Sequence, residues 1–358
     1  MKQKHTPLSF VLDKARMLLA LSLLIPFPAF SATQDLLVFI DGNATEYVDG
    51  VEEDDVTLAV DFVYSYNRGP FKVLAEYTYS DEENEFERIQ FGWQIEDNAT
   101  IWLGRFHSPD NYWNTTFHHG QYLQTAISRP WIDLFEDENG PLASHISGLL
   151  LESTKENANH SGYDLKLAIG AGPHLEPNLE PFEPLNPSVG HDLSLSGRIS
   201  FLPDISAQNQ IGLLFSKSSI SVNDRTIASL ARRFDRVHQT VLGGYIDWGL
   251  ASSRVIASVK NTKNELSGLG DDSFWSSYIY VEKRLTKNWQ LYARIDHVEG
   301  GERSPYLSLL EAELSKQQVL GVRWDFYSRH AITLEIAHKN LDSGNDSNLV
   351  LQWSTVFP

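Results

Sequence analysis

Cysteine is absent from all 358 residues, which excludes both disulfide staples and thiolate metal centres. Stability must then come from topology and burial alone. Long apolar runs are also missing beyond residue 32. Stretches such as "LLVFI" at 36–40 and "LLL" at 149–151 fall far short of the roughly 20 residues a membrane helix needs. Basic residues are scarce: 29 Lys and Arg against 47 Asp and Glu give a formal charge of -18, so no nucleic-acid partner is expected. No G-x-S-x-G elbow, H-E-x-x-H helix or glycine-rich phosphate loop occurs, and nothing fixes two carboxylates at glycosidase separation. No enzyme and no cofactor are read from such a chain.

What is present begins with residues 1–32. Lys2, Lys4, Lys14 and Arg16 precede the apolar run "MLLALSLLIPF", and the small residues Ala29, Ser31 and Ala32 follow it. That order predicts a signal peptide cleaved after Ser31 or Ala32, since Pro26 and Pro28 end the run before it becomes a buried helix. Its removal leaves 25 basic and 46 acidic residues, a formal charge of -21. Residues 33–358 then read as one domain.

Within that domain, period-two alternation recurs in sixteen segments of about ten residues, among them 56–66, 71–80, 88–96, 163–170, 210–218, 289–298 and 348–357. Connections after even segments are mostly tight turns, such as "NRGP", "DN" and "SRH". Connections after odd segments are mostly longer and polar: 49–55, 107–143, 171–192, 219–237, 262–272, 299–316 and 340–347. One face of the segments is apolar, with Phe91, Ile169, Leu213, Leu334 and Leu351. The other carries charge, with Asp61, Glu76, Asp164, Asp247, Asp296 and Glu335 beside Lys72 and Lys166. Trp93, Trp248, Trp289, Trp324 and Trp353 cluster near the short-turn ends, where a barrel in a bilayer places its aromatic girdle. The fold class expected is all-β, a transmembrane antiparallel β-barrel of about 16 strands, with outer-membrane lipid against its outside. A soluble secreted β-sandwich shares the alternation and stays open as an alternative.

The signal segment, the even strand count, the turn-and-loop asymmetry and the final aromatic Phe357 together resemble a Gram-negative outer-membrane porin. "GRF" at 104–106, leading to Pro109, is similar to the strand end before the constriction loop in phosphate-selective-porin-like families. The chain departs from the family in placing Pro358 after the terminal aromatic. The resemblance implies a passive diffusion channel for small hydrophilic solutes and ions, a homotrimer, and insertion by the barrel-assembly machinery through the last strand. It also implies that the third long loop, 107–143, folds inward as a constriction. A sixteen-stranded barrel encloses a lumen too wide to discriminate small solutes unless something narrows it.

Candidate constriction residues are Arg105, His107, Asp110, His118, His119, Arg129, Asp133 and Glu136. Arg88, Arg198, Arg294 and Arg323 are candidates for a basic wall facing an acidic loop. The charges on the lumen parity number nine acidic and seven basic, so weak cation preference is expected, against what a phosphate-selective relative would have. His118 and His119 are adjacent and lack a carboxylate at ligand spacing, so no metal site is read there. The segment "PHLEPNLEPFEPLNP" at 173–187 reads as an extended surface loop, with a divalent ion or a neighbouring subunit as other occupants of its glutamates. A barrel plugged by its own loops and acting as a surface adhesin or scaffold is the remaining alternative.

Overall fold

An alternating chain leaves every strand with one face for an apolar medium and one for water. Rolling the sheet shut separates those media and removes the unpaired edges. The structure, a computed structural model, describes residues 32–48, 55–80, 84–117, 121–136, 138–176, 178–185, 191–222, 235–268, 270–310, 314–341 and 344–358. The expected signal segment up to residue 31, and His118 and His119, lie outside the described residues.

The first strands are β1 (Ala32–Tyr47), β2 (Asp55–Arg68), β3 (Phe71–Ser80), β4 (Asn84–Glu96) and β5 (Ala99–His107). After the long loop come β6 (His145–Glu156) and β7 (Gly162–Ala171), then a two-residue pair, β8 (His174–Leu175) and β9 (Leu179–Glu180). The ring continues with β10 (His191–Leu202), β11 (Gln210–Ser221), β12 (Arg236–Leu250), β13 (Ser253–Leu266) and β14 (Gly270–Arg284). It ends with β15 (Trp289–Glu299), β16 (Lys316–Tyr327), β17 (His330–Leu341) and β18 (Gly344–Phe357). Sequential antiparallel pairing from β1 to β7, across β7 and β10, and on to β18, with β18 returning to β1, closes a sixteen-stranded barrel; β8 and β9 form a separate hairpin. The soluble sandwich is thereby excluded.

The two faces fall as the alternation requires. Leu213, Ile279 and Leu320 are more than half exposed on the outside, while Ser200, Lys260 and Thr333 on the opposite parity are buried. Trp289 and Trp324 are cross-strand partners near the turn ends and stack with centroids 5.5 Å apart. Strand length differs from expectation: barrel strands run from 9 to 16 residues. Several polar stretches read as loops are strand continuations, because backbone pairing extends past the apolar band wherever the neighbouring strand continues too. Thus β13 and β14 pair from Ser253 with Lys283 to Leu266 with Gly270, absorbing most of 262–272. β17 and β18 likewise absorb most of 340–347. The segment at 173–187 is also not simply extended, since β8 and β9 fold it into a hairpin.

Beside the root of the long loop, Gly104, Gly148 and Gly170 lie in one row across β5, β6 and β7. A Cβ on Gly104, which has φ 140°, would lie 2.0 Å from the Ile89 oxygen; one on Gly148 would lie 2.2 Å from the Ile169 oxygen. Only glycine permits this approach. Gly148→Ala is expected to cost about 1–3 kcal/mol, the range for overpacking a fitted site, and to lower the temperature at which the unheated form converts to the slower-migrating form on a gel. An unchanged conversion temperature would contradict the crowding.

Candidate constriction inside the barrel

Between β5 and β6, residues 108–144 leave the sheet. Their apolar side chains need a partner, and the barrel interior supplies one. Helix α1 (Tyr112–Phe117) and the 3-10 turns Gln121–Leu123 and Trp131–Asp133 organise the loop. Tyr112, Trp113, Trp131 and Leu142 are buried with the inward-facing Tyr245, Phe274, Tyr278, Tyr280 and Tyr292 in one core cluster. The Tyr112 ring stacks on Tyr245 at 4.0 Å, and Trp113 meets Tyr280 edge-on at 5.2 Å. A lumen wall built from tyrosines lets the loop bury apolar area while the hydroxyls of Tyr245, Tyr280 and Tyr292 still reach polar partners.

Polar fastenings then fix the loop strand by strand. At β10 and β11, Asp110 accepts hydrogen bonds from Ser108, Ser196 and Ser216. Arg198 donates to the Thr115 hydroxyl at 2.7 Å. At β12 the Tyr112 hydroxyl donates to Asp247, which Arg254 also holds. At β13, Lys260 and Asp133 form an ion pair of 2.6 Å with neither side chain exposed. On β15, Asp296 accepts from the Trp131 amide, while Arg294 binds both Asp296 and the Ser128 carbonyl. On β17, Glu335 accepts from the amides of Ile127 and Ser128 and from the Tyr292 hydroxyl. On β16, Arg323 donates to the Gln124 carbonyl and lies over the Tyr122 ring. Amides of an irregular loop that would be unsatisfied inside the barrel are thus answered by wall carboxylates.

At the return to β6, Glu136 accepts from the Ser144 and His145 amides and contacts His145 Nδ1 at 2.9 Å. Burial pushes the Glu136 carboxyl up, but the His145 charge and these hydrogen bonds outweigh it and hold it below the usual range. His145 Nε2 lies 3.0 Å from Glu87. His107 packs between Phe135 and His145, with centroids 5.4 and 4.8 Å away. Arg129 stacks on Phe135 at 4.0 Å and donates to Asn114.

The charge pattern differs from the acidic loop and basic wall that the resemblance implies. Asp110, Asp133 and Glu136 are buried in fastenings, as are Arg198, Arg294 and Arg323. Arg88 pairs with Glu76 at 2.6 Å, and Arg105 with Glu85 at 2.7 Å. The fastenings fall on β10–β17, whereas β1–β4 present Asp41, Asp61, Glu76, Glu85 and Glu87 against Lys72 and Arg88, with Arg68 at the turn end of β2. Asp41, Glu85, Glu87 and Lys260 escaped the sequence reading. The lumen parity of β1 and β13 would have found Asp41 and Lys260, but the irregular pairing of β3 with β4 beyond Glu76 hides the sidedness of Glu85 and Glu87. On the turn side of the loop, a cavity of about 370 Å³ lies between Phe117, Tyr122, Arg254, Glu282, Arg284 and Arg323.

No family model matches the sequence. No curated protein matches it either. Solved structures do. The anion-selective porin from Comamonas acidovorans is similar over 91% of this chain and 100% of its own, at 12% identity and a TM-score of 0.62. OmpF of Salmonella typhi, in complex with daunomycin, is similar over 90% and 97%, at 10% identity and a TM-score of 0.58. The outer-membrane channel DcaP of Acinetobacter baumannii is similar over 93% and 100%, at 9% identity and a TM-score of 0.56. Together with the closed ring, these matches show that the chain has the sixteen-stranded barrel fold of the outer-membrane porins.

Proposed function

We propose that the protein is a passive diffusion channel for small hydrophilic solutes and ions in the outer membrane of a Gram-negative bacterium, exported by its first 32 residues. The observation that carries this reading is the loop 108–144, drawn inside the barrel and fastened to strands from β10 to β17. Such a loop narrows a lumen without removing its aqueous path. Outward Leu213, Ile279 and Leu320 supply the lipid-facing band. Insertion by the barrel-assembly machinery and a homotrimer belong to the same reading.

With Glu76 and Glu85 paired to Arg88 and Arg105, the acidic excess left on β1–β4, led by Asp41 and Asp61, favours mild cation preference, unlike the anion-selective neighbour. Refolded protein in planar bilayers under a KCl gradient is expected to give discrete conductance steps and a reversal potential on the potassium side. Strong anion selectivity would overturn the charge assignment. Absence of conductance from folded barrels would overturn the channel and leave the plugged adhesin or scaffold.

A further inference from the structure

The hairpin β8–β9 carries His174 on its first strand, Glu176 just past that strand's end and Glu180 on its second strand. His174 is in register with Glu180, and Leu175 with Leu179. Alternation places Leu175 and Leu179 on one face, both buried in the core cluster. That pinned face turns His174, Glu176 and Glu180 to the other side together. His174 Nε2 lies 3.3 Å from a Glu176 oxygen and 3.4 Å from a Glu180 oxygen, and all three atoms lie within 4.8 Å of one another.

Those separations are longer than the roughly 2.7–2.9 Å of a charge-assisted hydrogen bond. They match the edge of a tetrahedron built on metal–ligand bonds near 2.1 Å, which is about 3.4 Å. The His174 ring is buried, and its Nδ1 has no hydrogen-bond partner. One proton on Nε2 serves one carboxylate at a time, which leaves the second anion uncompensated. We propose that His174, Glu176 and Glu180 form a binding site for a first-row divalent cation, represented by Zn²⁺, with the open positions taken by water.

One imidazole nitrogen with two carboxylates suits zinc and its neighbours better than Ca²⁺ or Mg²⁺, which prefer all-oxygen shells. The sequence reading assigned no metal site but left a divalent ion open for the glutamates of 173–187, and the site takes up that alternative. Occupancy would lock the segment that brings Glu183 to 3.9 Å from Arg105, the residue beside the constriction.

Isothermal titration of the full barrel in detergent with ZnCl2 tests the site. Wild type is expected to take up one equivalent that His174→Ala lacks and that Glu176→Gln/Glu180→Gln binds at least about tenfold more weakly. His160→Ala, whose side chain is 81% exposed at a tight turn, is expected to retain that equivalent. Folding of each variant is checked by heat-modifiable migration. Identical titrations for wild type and both site variants overturn the site, and displacement of Zn²⁺ by equimolar Ca²⁺ overturns the choice of metal. Failure of the channel reading leaves this titration untouched.

Discussion

Lys260→Met detaches the constriction loop from the barrel wall. Lys260 and Asp133 are both fully buried, and their 2.6 Å contact joins β13 to the turn Trp131–Asp133. Removing one partner strands a carboxylate in a site without water, a loss of about 3–5 kcal/mol for buried pairs of this kind. The ammonium is lost while most of the methylene volume stays, so the effect is electrostatic rather than steric. Part of that loss appears as loop detachment, because the barrel strands keep their own pairing to both neighbours. Single-channel conductance is expected to rise and become noisy, and Asp133→Leu/Lys260→Met is expected to recover most of the wild-type behaviour. If Lys260→Met conducts like wild type, the pair does not hold the loop.

Asp41→Asn/Asp61→Asn moves ion preference toward chloride. The two carboxylates lie on adjacent strands of the wall away from the loop fastenings, Asp61 accepting from Thr78 at 2.7 Å. A unit charge about 10 Å from an ion contributes about 0.4 kcal/mol in water, close to a factor of two in local cation concentration. Each removal halves local potassium and doubles local chloride, so losing both lowers the potassium-to-chloride permeability ratio by up to about sixteenfold at low ionic strength, and less at 1 M salt, where the Debye length is near 3 Å. Side-chain volume hardly changes, so single-channel conductance at high salt should stay near wild type. A reversal potential that does not move would place the selectivity elsewhere.

How far the sequence anticipates the molecule depends on which medium each residue faces. Strand count and sidedness are legible because water and an apolar phase impose a strict period, as Leu213 and Ile279 on the outside illustrate. The lumen is less legible, because it holds two environments on one parity. Tyr278, Tyr280 and Val241 stand where a water-filled channel calls for polar groups, and they do so because a folded loop covers them. That break in the pattern was the available sign of an internal core. For the constriction, residue types were visible and pairings were not: Asp133 looks like a pore charge until Lys260, 127 positions later in the chain, is placed against it. The hairpin β8–β9 was hidden by its prolines, although Leu175 and Leu179 are spaced for facing positions on two short strands.

The seam between β1 and β18 joins Val38 to Phe357 and Tyr47 to Asn348, partners some three hundred residues apart. The ring therefore has no way to shut until β18, the last of its sixteen strands, has been made. Until then the nascent polypeptide carries two unsatisfied borders and a greasy exterior, both open to aggregation. Trimming the last ten residues would not yield a smaller pore but a sheet with open margins, prone to clump.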